Sequence, residues 1–150
     1  MDFKNRVLAA LEVPGNQFHP LVFILGQPEI GDRTYIGLFS EINANKALVK
    51  IGQDCDIASF VSINCADSHM FTLGLATEVT RRDIIVGDHV FIGSHSFIGG
   101  YVHIGHHTVV AAGTILINKG FIPPYSLVAG NPAVIKDGYY LAHPPQQTLP

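Results

Sequence analysis

IIVGDHVFIGSHSFIGGYVHIGHHTVVAAGTIL, residues 84–116, decides the fold of this chain. Val86, Ile92, Ile98, Ile104, Val110 and Leu116 recur at every sixth position, and glycine follows four of them, at Gly87, Gly93, Gly99 and Gly105. An α-helix repeats every 3.6 residues and a strand every two, so neither accounts for this count. A short fixed repeat predicts a parallel β-helix in which each repeat makes one side of a coil. The aliphatic residue points inward and packs on its counterparts in the coils above and below. The small residue after it is expected at the bend, where positive φ is often required. A second inward position falls four residues after each aliphatic, and Val90, Ser96, Val102, Thr108 and Thr114 occupy it. All are small or β-branched, as a narrow triangular core requires. Three sides make a coil of about 18 residues, and residues one coil apart stack as parallel strands ~4.8 Å apart.

The rhythm extends outward from this stretch. Upstream it runs Ile24, Ile30, Ile36, Ile42, Leu48, slips by three residues, and continues through Ile51, Ile57 and Ile63. Downstream, Ile122, Val128 and Val134 keep the count, with extra residues expected to bulge near Lys119–Gly120. Residues 3–12 predict a short helix, with Asp2 as N-cap and Pro14 beyond its end. The expected organisation is one domain over residues 1–150, with an N-terminal extension at 1–20 and one extruded loop at 64–85.

Composition narrows the function classes. A hydrophobic fraction of 47% and a charged fraction of 14% exclude disorder. A net charge of -3 points away from nucleic-acid binding. No apolar run is long enough for a membrane span, and no signal-peptide pattern appears, so a cytoplasmic location is expected. Cys55 and Cys65 are the only cysteines. Their spacing fits neither a disulfide framework nor a metal pair. Cys55 falls four residues after Ile51 and reads as a small inward hydrophobe.

The one long break in the rhythm, NCADSHMFTLGLATEVTRRDII (64–85), is the more informative signal for chemistry. Long irregular segments in compact domains are usually functional when ordered. This one carries His69 behind Asp67 and Ser68. Imidazole titrates near neutrality and suits the task of removing a proton from an attacking group. Arg81 and Arg82 in the same segment read either as a solvated pair or as phosphate contacts.

The hexapeptide register, with VFIG (90–93), AAGT (111–114) and PPYSLVAGNPA (123–133), resembles the hexapeptide-repeat acyltransferases, closest to the sugar and xenobiotic O-acetyltransferases. The resemblance covers residues ~22 to 135. It implies an all-β, left-handed parallel β-helix of about six coils. It also implies acetyl-CoA as co-substrate, with no metal, and a sugar or nucleotide-sugar acceptor in polysaccharide biosynthesis. His69 is then the general base for direct transfer of acetyl to a hydroxyl. The cofactor-binding positions are Phe91, Ser94, Ala112, Gly113, Lys119 and Lys136, and the substrate-binding positions are Asn64, Asp67 and His95. Such proteins pack as homotrimers with the sites in grooves between copies. The chain departs from the pattern at INKGFIPP and GNPAVIK, where basic residues are displaced, so the thioester end of the cofactor is better matched than the nucleotide end.

Other readings stay open at this point. N-acetyl transfer to an amino-sugar nucleotide fits the same residues. His89, His95 and His107 should all point outward, and His89 and His107 should stack. This is similar to the γ-class carbonic anhydrases, which share the fold and bind zinc through three histidines. That class spaces two of them five apart, whereas His89 and His95 are six apart. A non-catalytic β-helix scaffold is a further reading.

Overall fold

A computed structural model of the chain describes residues 2–11, 18 and 21–142. Helix α1 (Phe3–Leu11) comes first. Asp2 caps it: its Oδ1 accepts the Asn5 backbone N–H at 2.8 Å. Pro14 lies outside the described residues.

The solenoid then winds through three faces in turn. One pass comprises β1 (Phe23–Gly26), β2 (Glu29–Ile30) and β3 (Tyr35–Ile36), and the next β4 (Glu41–Ala44), β5 (Val49–Ile51) and β6 (Asp56–Ile57). After β7 (Ser62–Asn64) the chain leaves the coil through β8 (Ala66–Asp67), α2 (His69–Thr72) and β9 (Thr80–Arg81). It re-enters at β10 (Ile84–Val86) and β11 (Phe91–Ile92). There follow β12 (Phe97–Gly99), β13 (Val102–Ile104), β14 (Val109–Val110), β15 (Ile115–Ile117), β16 (Gly120–Ile122) and β17 (Leu127–Ala129). The extruded segment is therefore 65–83, slightly shorter than expected. Three parallel sheets result: β1-β4-β7-β12-β15, β2-β5-β10-β13-β16 and β3-β6-β11-β14-β17. Strand β18 (Val134–Lys136) turns back antiparallel on β17 and closes the third sheet.

The core is the predicted aliphatic column. Ile36, Ile42, Ile57, Ile63, Ile92, Ile98, Ile104, Val110, Leu116, Ile122 and Val128 are all fully buried. The second inward position is buried throughout, and its hydroxyls serve the corners, where the ladder of strand hydrogen bonds is interrupted. Ser96 Oγ donates to the Ala111 carbonyl at 3.1 Å and accepts the Thr114 N–H at 3.3 Å. Thr34 and Ser40 do the same two coils earlier. No buried side-chain N or O among the described residues lacks a partner, as a dry core demands.

Several expectations need correction. The glycines after the aliphatics do not adopt positive φ; that conformation falls two residues later, at His89, His95 and His107 among others. Glycine is needed at the earlier position for a different reason. A Cβ on Gly93 would lie 2.4 Å from the Ala112 backbone nitrogen, and one on Gly105 2.5 Å from that of Pro124. The corners of adjacent coils approach too closely for a side chain. Leu48 is exposed rather than inward, because the three-residue slip is absorbed by the corner before β5, where Val49 and Ile51 are the buried pair. The slip lengthens that coil, so Ile42 pairs with Ile63. No bulge occurs at Lys119–Gly120: Val102 pairs with Gly120 in the ordinary one-coil register. Val134 is exposed because β18 reverses direction and no coil remains for it to enter.

Candidate active site

The extruded segment leaves and re-enters the coil as an antiparallel pair. Ala66 lies opposite Arg81 and Asp67 opposite Thr80. The Arg82 N–H donates to the Cys65 carbonyl at 2.9 Å, and the Arg81 guanidinium donates to the Asn45 carbonyl at 2.7 Å. Arg81 thus clamps the neck of the loop to the corner beneath it. Asn64 holds the other side: its Oδ1 accepts the Ala66 N–H at 2.9 Å and the Asn43 side-chain amide at 3.2 Å. The chain therefore enters the loop from a fixed point.

At the tip, α2 places His69 at its first residue. The Asp67 carboxylate accepts the His69 backbone N–H at 3.3 Å and also contacts imidazole Nδ1 in a short hydrogen bond. The His69 ring holds the Asp67 carboxyl below its ordinary range. With a carboxylate on Nδ1, the ring proton sits there and Nε2 presents its lone pair outward. The His69 side chain is 65% exposed. It faces a groove of about 500 Å³ whose walls include Asn64, Asp67, Leu73, Phe97 and Ile117, with Gly99 and Gly100 as its floor.

The groove brings together Asn64, Asp67 and His69. The remaining sequence-predicted residues lie elsewhere on the same chain. Ser94, His95, Ala112 and Gly113 form the corner before β12 and β15, where the Gly113 N–H donates to the Ser94 carbonyl at 2.9 Å. His95 stacks on Phe60 with ring centroids 4.9 Å apart. Phe91 stands on the outer face of the third sheet, 40% exposed. Lys119 follows β15 on the same corner row as the loop. Lys136, on β18, holds its ammonium 5.8 Å from the Tyr139 ring centroid. Sequence reasoning missed Phe97, Gly99, Gly100 and Ile117. The doubled glycine at 99–100 was the available signal, since one-coil stacking sets Gly99 beside both Asn64 and Ile117.

The expected histidine stack is present on another corner. His89 and His107 have centroids 4.6 Å apart, and His107 stacks on Tyr125 at 4.9 Å. Arg33 and Asp54 continue the row with a two-point ion pair at 2.6 and 2.8 Å. Burial, with His89 and His106 beside it, pushes His107 below the usual histidine range. Among the described residues no three His, Cys, Asp or Glu side chains converge as a metal-binding group. Both cysteines are free and buried, and burial pushes the Cys55 thiol up, the inert environment expected of a packing residue. No helix among the described residues is long and apolar enough to cross a membrane.

Comparison with known proteins agrees with this geometry. Residues 83–117 match the family described as hexapeptide repeat of succinyl-transferase. No curated protein matches the chain by sequence. Among solved structures, the polySia-specific acetyltransferase NeuO is 29% identical with a TM-score of 0.63, over 78% of this chain and 61% of that one. The chain thus spans somewhat under two thirds of that protein. A hexapeptide-repeat-containing acetyltransferase of Vibrio cholerae O1 biovar eltor, complexed with acetyl coenzyme A, is 27% identical with a TM-score of 0.69, over 90% and 76%. Galactoside acetyltransferase in complex with coenzyme A is 26% identical with a TM-score of 0.54, over 78% and 64%. By repeat and register the chain is a left-handed parallel β-helix of hexapeptide repeats, similar in fold to these acetyltransferases.

Proposed function

We propose that the protein transfers an acetyl group from acetyl-CoA to a hydroxyl of a sugar or glycan precursor. The observation that carries this is the Asp67–His69 pair at the mouth of the groove. The acceptor O–H gives its proton to His69 Nε2 as the oxygen attacks the thioester carbonyl. Collapse of the tetrahedral intermediate breaks the C–S bond, and the departing thiolate takes the proton back from the imidazolium. No acyl-enzyme is needed, because the thioester is already activated. Asp67 fixes the ring and stabilises its charged form, and Asn64 reaches the acceptor.

Acetyl-CoA binds along the corners bearing Ser94, Ala112 and Gly113. The Ser94 backbone N–H faces the developing oxyanion, and the small residues Ala112 and Gly113 let the pantetheine arm approach. Phe91 lines the thioester region, His95 touches the acceptor, and Lys119 and Lys136 meet the nucleotide end. These corners are not part of the His69 groove within one chain. A homotrimer resolves this, each site taking His69 from one copy and the corners from the next. The acetyl-CoA complex of the Vibrio cholerae relative supports the choice of donor.

A thiol-release assay with acetyl-CoA against a panel of sugars, glycosides and nucleotide sugars tests the reading. His69→Ala should lower kcat on the order of 10²–10⁴-fold with coil structure intact by circular dichroism. Full activity in that variant overturns the mechanism.

A further inference from the structure

We infer that His106 and His107 form an acid-sensitive latch that clasps Tyr125 and, through it, holds the chain's C-terminal turn against the last coil. The latch stands apart from the transferase reading, since none of these residues lies in the His69 groove or on the corners assigned to acetyl-CoA.

The device turns on one contact. The Nδ1 atoms of His106 and His107 meet at 2.9 Å, with the two rings at 86°. Together the rings hold Tyr125 on two sides. His106 stands edge-on to the phenol ring at 5.3 Å between centroids, and His107 lies nearly parallel to it at 4.9 Å. Tyr125 occupies the left-handed position of the corner between β16 and β17, with φ 60°. Its backbone joins the coils to the C-terminal turn: its N–H donates to the His106 carbonyl at 3.0 Å, and its carbonyl accepts the Tyr140 N–H at 2.9 Å. The Leu141 N–H closes that turn on the Gly138 carbonyl at 3.0 Å.

A contact between two Nδ1 atoms has a fixed proton requirement. One nitrogen must carry the hydrogen and the other must offer its lone pair. Two neutral rings meet this condition, and so does one neutral ring beside one charged ring. Two charged rings do not, because two N–H donors then face each other at hydrogen-bond distance. The pair therefore keeps its contact through the first proton and loses it on the second. Histidine is the side chain whose ordinary titration brings this about in mildly acid solution.

The surrounding groups sharpen the response. Burial, then His89 and His106, disfavour charge on His107, and Asp88 favours it. Asp88 is itself bound to the Gln53 N–H at 2.9 Å. The His89 ring stacks 4.6 Å from His107 and adds a like charge when protonated. Its own carboxylate neighbour, Asp54 at 3.8 Å, is gripped at both oxygens by Arg33. On the other side of His106 the sheet face carries Lys50 and His103. Acid thus gathers positive charge at this corner.

Hydrogen exchange on the intact chain tests the latch. The Tyr125 and Tyr140 amides are the reporters, and the Gly37 amide, which donates to the Ile57 carbonyl at 2.8 Å, is the reference. Corrected for intrinsic exchange, protection at both reporters should fall about tenfold between pH 7.5 and 5.0, the order expected for loss of one hydrogen bond. Gly37 should keep its protection. His106→Phe leaves a ring edge for Tyr125 but removes the second proton, so the fall should vanish. His107→Asn tolerates the φ of 56° and should also abolish the pH dependence, whatever it does to protection at pH 7.5. Unchanged protection of the reporters at pH 5.0 would overturn the latch. So would an equal fall at Gly37, which marks general acid unfolding, or a wild-type fall in either variant.

Discussion

At the scale of single residues, two contacts from one carboxylate hold His69. Asp67 receives both the backbone N–H and the ring Nδ1 of His69. The imidazole is therefore oriented by its own loop, before any substrate arrives. If His69 is the base proposed above, Asp67→Ala should cost about 10²-fold in kcat with little change in KM for either substrate, because the imidazole remains but its aim is lost; steady-state kinetics on both substrates checks this. The same histidine on a loop pinned less firmly would be an ordinary solvated side chain, and the sequence does not distinguish the two. His107 makes a second prediction. Its folded pKa lies below its ordinary value because of burial and two neighbouring imidazoles. As pH falls, the unfolded chain binds the proton first, so stability declines through about pH 6.5 until the folded form also protonates. His107→Asn removes this titration and tolerates the positive φ of 56°. Denaturant unfolding at pH 7.5 and 5.5 should show a smaller acid loss in that variant than in the wild type.

At the scale of the element, the hexapeptide is a device for stacking corners. Each repeat contributes an aliphatic column, a small inward residue that satisfies the corner backbone, and a glycine where coils touch. Gly93 and Gly113 separate two meanings of glycine. A Cβ on Gly93 collides with the backbone of the next coil, whereas one on Gly113 meets open space but sits at φ +71°. Gly93→Ala should destabilise by about 1–3 kcal/mol through overpacking. Gly113→Ala should cost about 1 kcal/mol, from conformation alone. Denaturant midpoints rank the two, and equal losses would show that corner contact is not what requires glycine at Gly93. The periodic pattern made this element legible, yet it assigned positive φ to the wrong position. Spacing reports which residues are small; it does not report whether the reason is a dihedral angle or a neighbouring coil.

At the scale of the whole molecule, apolar side chains remain on the outside of the coil. Phe23, Tyr35, Phe60, Phe91 and Phe121 are each 40–58% exposed, and the loop adds Phe71, Leu73 and Leu75 at 50–67%. Self-association into the proposed trimer would cover such faces. Sedimentation should give three times the 16.2 kDa chain mass, and dilution that dissociates the assembly should abolish turnover. A monomer with full activity would require one chain to contain both halves of the site, which the separation of His69 from the Ser94 and Gly113 corners opposes. By itself the sequence determined the β-helix, its core column and the loop that bears His69. A six-residue period and its interruption are one-dimensional facts, and each coil repeats them locally. Only the tertiary structure decided that Asp67 aims the imidazole and that Gly99, with the Phe97 ring over it, lies between Asn64 and Ile117. It alone placed the predicted cofactor corners away from the groove. Those relations join residues on different coils and corners, and their geometry depends on how the solenoid absorbs a three-residue slip and an extruded loop.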